Sequence, residues 1–344
     1  MSKGVLLVNL GSPDSPEPKD VKNYLGEFLM DGRVIDFPKW LRSILVKGII
    51  LNTRPKASAK AYKKIWWDEG SPLIVLSERL TQALRPQVDL PVALAMRYGK
   101  PSMETGLREL SDQGVDEVFV VPLYPQYAMA TTETTLVLAE ELIRDQFPNL
   151  KMSSLPAFYN QPEYIDVLAH SLSEQIKANT PEHLLFSYHG VPERHIRKSD
   201  ITKSHCKIDG TCCVTSSPAH EFCYRHQCKE VTRLVAEKMK LTEGSFSTSF
   251  QSRLGFDPWL RPYTDRTIER LAKEGVRSMA VATPAFVSDC LETLEEIAME
   301  GEELFHEAGG THFNTLSCLN DDPKWVALLA HWINNWASNE TPFV

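Results

Sequence analysis

The sequence predicts an α/β protein built from two similar doubly wound (Rossmann-like) domains, each a parallel sheet flanked by helices. Three observations lead there. Short runs rich in β-branched residues alternate with amphipathic segments along the whole chain, the pattern of parallel sheets covered by crossover helices. Several of the runs are apolar on both faces, as strands buried on both sides must be. At 344 residues the chain also exceeds the size at which one hydrophobic core stops growing, so it divides.

Taken in order, strands are expected at 4–10, 92–96, 117–123, 184–189, 245–250 and 278–283. Helices are expected at 102–113, 134–146, 162–178, 229–240, 265–274, 289–308 and 323–337, several ending near Gly or Asn, as helices tend to. The boundary falls within 155–180. An N-terminal domain of 1–165 carries a hydrophobic and basic lip at about 28–67. A C-terminal domain of 166–344 carries a Cys-rich insertion at about 203–228, and its last helix is free to pack back on the first domain. No internal sequence repeat is evident.

A 42% hydrophobic content is globular, and a net charge of −8 argues against a general nucleic-acid binder, which needs a basic surface to neutralise phosphate. One stretch departs from the acidic average. Lys39, Arg42, Lys47, Arg54, Lys56, Lys60, Lys63 and Lys64 occur without an acidic residue, interleaved with Trp40, Leu41, Ile44, Leu45, Ile49, Ile50, Trp66 and Trp67. This is either an amphipathic helix pair packed on its domain or a stripe attracted to anionic lipid or acidic ligand groups. No apolar run approaches the roughly 18 residues of a membrane span. The apolar N-terminus is too short for a signal peptide, so a cytoplasmic protein is expected.

Ligands of doubly wound sheets sit beyond the carboxyl ends of the strands, and the residues there carry the functional reading. None forms a G-x-G-x-x-G or G-x-x-x-x-G-K-[ST] pattern, so nucleotide phosphate binding is not supported. His189 closes the run Leu184–Tyr188 before Gly190, where an imidazole serves as base, metal ligand or hydrogen-bonded core residue. Glu292, Glu296 and Glu300 stand four apart and share one face of the expected 289–308 helix. Stacked carboxylates repel, by a few tenths of a kcal/mol, about 0.3, per exposed pair. The ladder is either a solvated face or a path for cations or protons, and Glu292 with Asp289 also fits a capping arrangement.

Seven cysteines include five in the pattern Cys206-x5-Cys212-Cys213-x9-Cys223-x4-Cys228. In a cytoplasmic chain such clustering reads as metal binding before disulfides. Four of the five suit an iron–sulfur centre. A structural zinc site is the competing reading, with His205, His220 and His226 as substitute ligands. The adjacent Cys212 and Cys213 are awkward as ligands of one iron.

Together, Asn9-Leu-Gly-Ser-Pro, Glu69-Gly-Ser-Pro-Leu, Met96-Arg-Tyr, Leu123-Tyr-Pro-Gln-Tyr-Ala-Met-Ala-Thr-Thr, Ser187-Tyr-His-Gly-Val-Pro, Phe250-Gln-Ser-Arg, Pro258-Trp-Leu and Ser288-Asp-Cys-Leu-Glu-Thr-Leu-Glu-Glu-Ile resemble the ferrochelatase family, in order, from about residue 4 to 335. The resemblance implies a chelatase-type fold enclosing a cleft, and insertion of Fe(II) into protoporphyrin IX to give protohaem with release of two protons. It implies that His189 is the active-site histidine and Glu292 its partner carboxylate, both also serving the substrate Fe2+, and that Glu296 and Glu300 continue as a proton or metal path. Arg97, Tyr98, Tyr124, Tyr127, Met129, Tyr188 and Trp259 would line the porphyrin pocket. The stripe before Trp67 would be a pocket lip facing a membrane surface or an upstream porphyrin-synthesis enzyme, with the protein peripheral on the inner face of the membrane. The internal cysteines resemble a bacterial subset carrying a 2Fe-2S cluster. Competing functions are a coproporphyrin III ferrochelatase, a cobalt or nickel chelatase, and a non-catalytic porphyrin carrier or Fe–S sensor.

Overall fold

A computed structural model describes residues 2–253, 255 and 257–343. The chain forms two compact units. One comprises Met1–Tyr124, Met129–Pro156 and Asn320–Val344, the other Pro125–Ala128 and Ala157–Leu319.

The first unit holds a parallel sheet of β1 (Lys3–Asn9), β2 (Val92–Met96), β3 (Glu117–Pro122) and β4 (Lys151–Ser154), in the order β2-β1-β3-β4. The second holds β5 (His183–His189), β6 (Phe246–Gln251), β7 (Ser278–Ala282) and β8 (His312–Thr315), in the order β6-β5-β7-β8. The two orders are the same, offset by four, so the fold repeats a topology whose repeat is not evident in the sequence. All six expected strands form. The two unexpected ones, Lys-Met-Ser-Ser and His-Phe-Asn-Thr, are short, partly exposed edge strands. They lack the apolar run by which strands are recognised.

Apolar side chains on both faces secure each sheet. In the first unit Leu6, Val8, Ala93, Ala95, Val118 and Val120 meet Met103, Leu107 and Leu110 of the Met103–Asp112 helix. That helix opens on Ser102, whose hydroxyl accepts the Thr105 amide at 3.1 Å. The Pro323–Ala337 helix belongs to this same unit. Trp336 stacks on Phe119 with centroids 4.7 Å apart, and Lys3 Nζ lies over its ring while donating to the carbonyls of Trp336 and Ala337. A cation on the last carbonyls of a helix offsets its negative end.

In the second unit Leu185, Met279 and Val281 pack against Ile268, Leu271, Ile297 and Phe305. The expected 289–308 helix is in fact π-helical over Glu292–Gly301 and α-helical only over Glu302–Glu307. In a π-helix a turn takes more than four residues, and side chains four apart still share one face.

Gly11 of the Asn9-Leu-Gly-Ser-Pro turn adopts φ +109°, and a Cβ there would lie 1.8 Å from the Tyr98 carbonyl oxygen. The approach is imposed by the amides of Arg97 and Tyr98, which donate to the carbonyls of Asn9 and Leu10. Gly11→Ala is therefore expected to destabilise the fold by about 3 kcal/mol, the upper range for a strained backbone position. The change is measured as a fall in the urea unfolding midpoint.

Candidate active site

In the second unit, parallel pairing sets His189 in register with Gln251 at the carboxyl ends of β5 and β6. Gly190 follows because a Cβ would meet the Gln251 carbonyl at 2.8 Å and the Trp259 ring at 3.2 Å. His189 Nδ1 lies 2.7 Å from the Gly190 carbonyl. A carbonyl only accepts, so Nδ1 carries a proton, and in the neutral ring the lone pair is on Nε2. The ring is half-buried between Trp259 and Phe286, at centroid distances of 6.5 and 6.4 Å.

The π-helix brings carboxylates to this ring. Gln251 accepts the Ser187 hydroxyl at 2.6 Å and donates to the Glu292 carbonyl at 3.4 Å, tying the start of the helix to the strand end. Next to it Ser252, with φ +64°, gives both its amide (2.8 Å) and its hydroxyl to the Glu296 carboxylate. A non-glycine residue rarely holds this left-handed conformation, and the two bonds to Glu296 retain it. Burial pushes the Glu296 pKa above the ordinary 4.5. The Ser252 bonds and the His189 ring oppose that shift, and the Glu292 charge reinforces it. The electrostatics thus join His189, Glu292 and Glu296.

Glu300 is exposed. Glu292 is not part of a helix cap: the helix has no side-chain cap, and Asp289 instead accepts the Thr293 hydroxyl at 2.8 Å. The buried Cys290 thiol has its pKa raised by burial and then by the Glu292 carboxylate beside it.

Because the Glu296 pKa is raised on folding, its protonated form favours the folded state. That contribution is complete below the unfolded value of about 4.5 and is lost as pH rises through the folded value. Glu296→Gln cannot ionise and should flatten this limb of the stability profile, as read by urea unfolding across a pH series.

The remaining pocket candidates separate by unit. Tyr127 and Trp259 belong to the second unit and are half-buried. Tyr188, one residue before His189, points to the opposite face of β5. It is fully buried, and its hydroxyl bonds Thr232 at 2.9 Å. Arg97, Tyr98, Tyr124 and Met129 belong to the first unit. There Arg97 is already matched: its guanidinium lies 2.5 Å from Asp31, donates to Thr134 Oγ1 at 2.9 Å and covers the Tyr98 ring at 4.3 Å. Asp31 also accepts from the Tyr98 and Thr134 hydroxyls and the Arg33 amide. Burial opposes ionisation of Asp31, but the Thr134 and Arg33 bonds and the Arg97 charge outweigh it and lower the pKa. Met129 opens a short π-helical segment, Met129–Glu133, and Tyr124 is buried. Asp31→Ala would leave Arg97 buried without its counter-charge and is expected to cost about 3 kcal/mol, read as a lowered denaturant midpoint.

All five clustered cysteines are buried free thiols in the second unit. Cys206 and Cys223 have their sulfurs 3.9 Å apart. Cys212 is the one whose pKa is lowered: burial opposes this, and the amides of Ile208 and Lys207 outweigh it. Cys228 lies inside the Tyr224–Lys238 helix, which begins earlier than the expected 229. Among the described residues no three His, Cys, Asp or Glu side chains are arranged to hold a metal ion. The three histidines turn to backbone carbonyls. Nε2 of His205 and of His220 meets the Cys212 carbonyl at 2.8 and 2.9 Å, and His226 Nδ1 meets that of Cys213 at 2.8 Å.

Two parallel four-stranded sheets of one order, with a histidine and carboxylates at the strand ends of the second, define a chelatase-fold protein. The solved structure of SirB from Bacillus subtilis with Fe3+ superposes with TM-score 0.55 over 98% of this chain and 97% of that one, at 14% identity. The sirohydrochlorin chelatase SirB from Bacillus subtilis subspecies spizizenii in complex with cobalt gives 0.54 over the same shares at 11%. At these identities the likeness is one of fold. The family follows from sequence: the ferrochelatase family model matches residues 2–337. The ferrochelatase of Ectopseudomonas mendocina is 51% identical over 327 residues, 94% of this chain and 95% of the relative. That of Opitutus terrae is 46% identical over 338 residues, 97% and 98% of the two. The chain belongs to the ferrochelatase family and is a porphyrin metal chelatase.

Proposed function

We propose that this enzyme inserts Fe(II) into protoporphyrin IX in haem biosynthesis, with His189 and Glu292 as the reaction centre. The observation that carries the reading is the tautomer of His189. With Nδ1–H held by the Gly190 carbonyl, the Nε2 lone pair is the one available to take a pyrrole proton or to meet incoming iron. The reaction exchanges one dication for two protons, so the site must both accept protons and hold a cation. An imidazole beside carboxylates does both. Glu292 completes the iron site. Glu296, whose raised pKa lets it carry a proton at a higher pH than an ordinary carboxylate, passes charge along the stacked face towards Glu300. Half-buried Trp259 and Phe286 supply an apolar edge to the ring that a bent macrocycle requires.

Protoporphyrin, with two carboxylates, is favoured over coproporphyrin, with four. Arg97 is matched by Asp31 and Arg33 by Glu133, so these cations bring no unbalanced positive charge for extra carboxylates. In the first unit Trp40, Ile44 and Ile49 stand 67%, 58% and 55% exposed beside Lys39 and Lys47. This supports the lip as a peripheral contact with anionic membrane or with a porphyrin-delivering enzyme, although no helix among the described residues is long and apolar enough to cross a membrane.

The five buried thiols suit a 2Fe-2S cluster in donor chemistry, with four of Cys206, Cys212, Cys213, Cys223 and Cys228 as its ligands. Such a cluster, when bound, supplies cross-linking order and a one-electron centre, and no step of metal insertion passes through it. The histidine contacts with the Cys212 and Cys213 carbonyls speak for thiolate ligands over the mixed zinc site.

Anaerobic incubation with Fe(II) and each porphyrin, followed by the Soret band, tests the function. Conversion of protoporphyrin in preference to coproporphyrin is expected. His189→Ala and Glu292→Gln should each lower kcat by at least about 10²-fold while porphyrin binding changes little. Retained turnover in either variant would sink its assignment.

A further inference from the structure

The cysteine-rich segment has no part in the reaction as derived above, yet two of its side chains reach residues that do. Tyr224 follows Cys223 directly. It is 6% exposed, and its hydroxyl donates to the His189 carbonyl at 2.9 Å. Gln227, one turn on and fully buried, accepts the Tyr127 amide at 2.7 Å and donates to the carbonyls of His220 (3.1 Å) and Glu221 (2.8 Å). All these atoms lie in one compact unit.

The neighbours reinforce both contacts. The Tyr127 ring meets Phe222 edge to face with centroids 5.0 Å apart, and the Cys228 thiol lies beside the Tyr224 phenol. A fully satisfied buried amide holds one geometry, because any displacement leaves a donor or acceptor without a partner. Tyr224 likewise fixes the peptide from which the His189 ring projects, just before the Gly190 turn.

We propose that the cysteine-rich segment is the positioning frame of the reaction site, with Tyr224 setting the His189 backbone and Gln227 setting the Tyr127 segment of the porphyrin pocket. Both are positioning residues, since neither touches the reacting atoms. The inference rests on the assignment of His189 as base or iron ligand and of Tyr127 as a pocket residue. It gives the segment a role that does not depend on electron transfer. Whatever orders the cysteines also orders the site, and porphyrin binding in turn favours the ordered segment, as linkage requires.

The two contacts predict different kinetic signatures, which a merely structural role would not separate. Tyr224→Phe, which removes one hydroxyl and keeps the ring, should lower kcat about tenfold with the porphyrin KM unchanged, as a small misplacement of a catalytic group does. Gln227→Met should raise the porphyrin KM about fivefold with kcat nearly unchanged. Gln227→Glu keeps an acceptor for the Tyr127 amide and, protonated, one of the two donors, so it should recover part of that loss and covers the case in which the Met variant folds poorly. Cys223→Ser should lower kcat in the wild-type background and add nothing to Tyr224→Phe.

Wild-type kcat in Tyr224→Phe together with wild-type KM in Gln227→Met would overturn the proposal, as would independent, multiplying effects of Cys223→Ser and Tyr224→Phe. If His189→Ala is inactive while those variants behave as wild type, the frame alone fails. Turnover retained in His189→Ala removes the base assignment and the frame with it.

Discussion

The proposed reaction site depends on the in-register pairing of β5 with β6. That pairing sets His189 opposite Gln251, and the next residue, Ser252, then reaches the Glu296 carboxylate while Gln251 reaches the Glu292 carbonyl. A slip of one residue would turn these side chains to the other face of the sheet. The Leu184–Tyr188 run is buried on both faces, as is the 249–251 end of its partner strand, so the register is anchored by packing where the site lies. The carboxylates are thereby held at the histidine by a rigid strand end rather than by a loop.

The π-helical turn answers the electrostatic question raised by the glutamate ladder. Three carboxylates spaced by four share one face of the π-helix, as they would in an α-helix, and repel one another. The fold tolerates it because the environments differ rung by rung. Glu292 faces the Cys290 thiol, Glu296 is clamped by Ser252 and carries a raised pKa, and Glu300 is solvated. Ile297, on the same helix, is drawn into the core, so the helix cannot turn its acidic face away. A graded row from buried to exposed is what proton or cation traffic needs.

Charge in the first unit is managed in the opposite way. Arg97 meets Asp31 at once, and Asp31 is saturated by hydroxyls and an amide. Asp31 lies thirteen residues beyond the start of the Pro18–Leu29 helix and joins the head of the lip to the end of β2. The arrangement spends a buried ion pair on fixing geometry, which is the role such pairs serve best where they add little net stability.

The sequence by itself determined the parts whose signal is local. Short β-branched and apolar runs marked six of the eight strands, the four inner ones and the edge strands β2 and β6, and the glycine after His189 marked a strand end. Spacing marked the cysteines, and the family motifs carried His189, Glu292 and the ferrochelatase assignment. Ser252 and Gln251 were legible only as letters of Phe250-Gln-Ser-Arg, without a role. Asp31, Tyr224 and Gln227 were not singled out at all, because a hydrogen bond between residues 35 or 100 apart in sequence leaves no periodicity. The edge strands β4 and β8 were missed because pairing with a buried neighbour, rather than their own residues, makes them strands. Alternation along β5 sends Tyr188 to the face opposite its neighbour His189. Tertiary structure alone decided which ring nitrogen of His189 is available, which glutamate is buried, and which side chains hold the site in place. These are properties of distance and solvent exclusion, and they exist only once the strands have paired and the helices have closed over them.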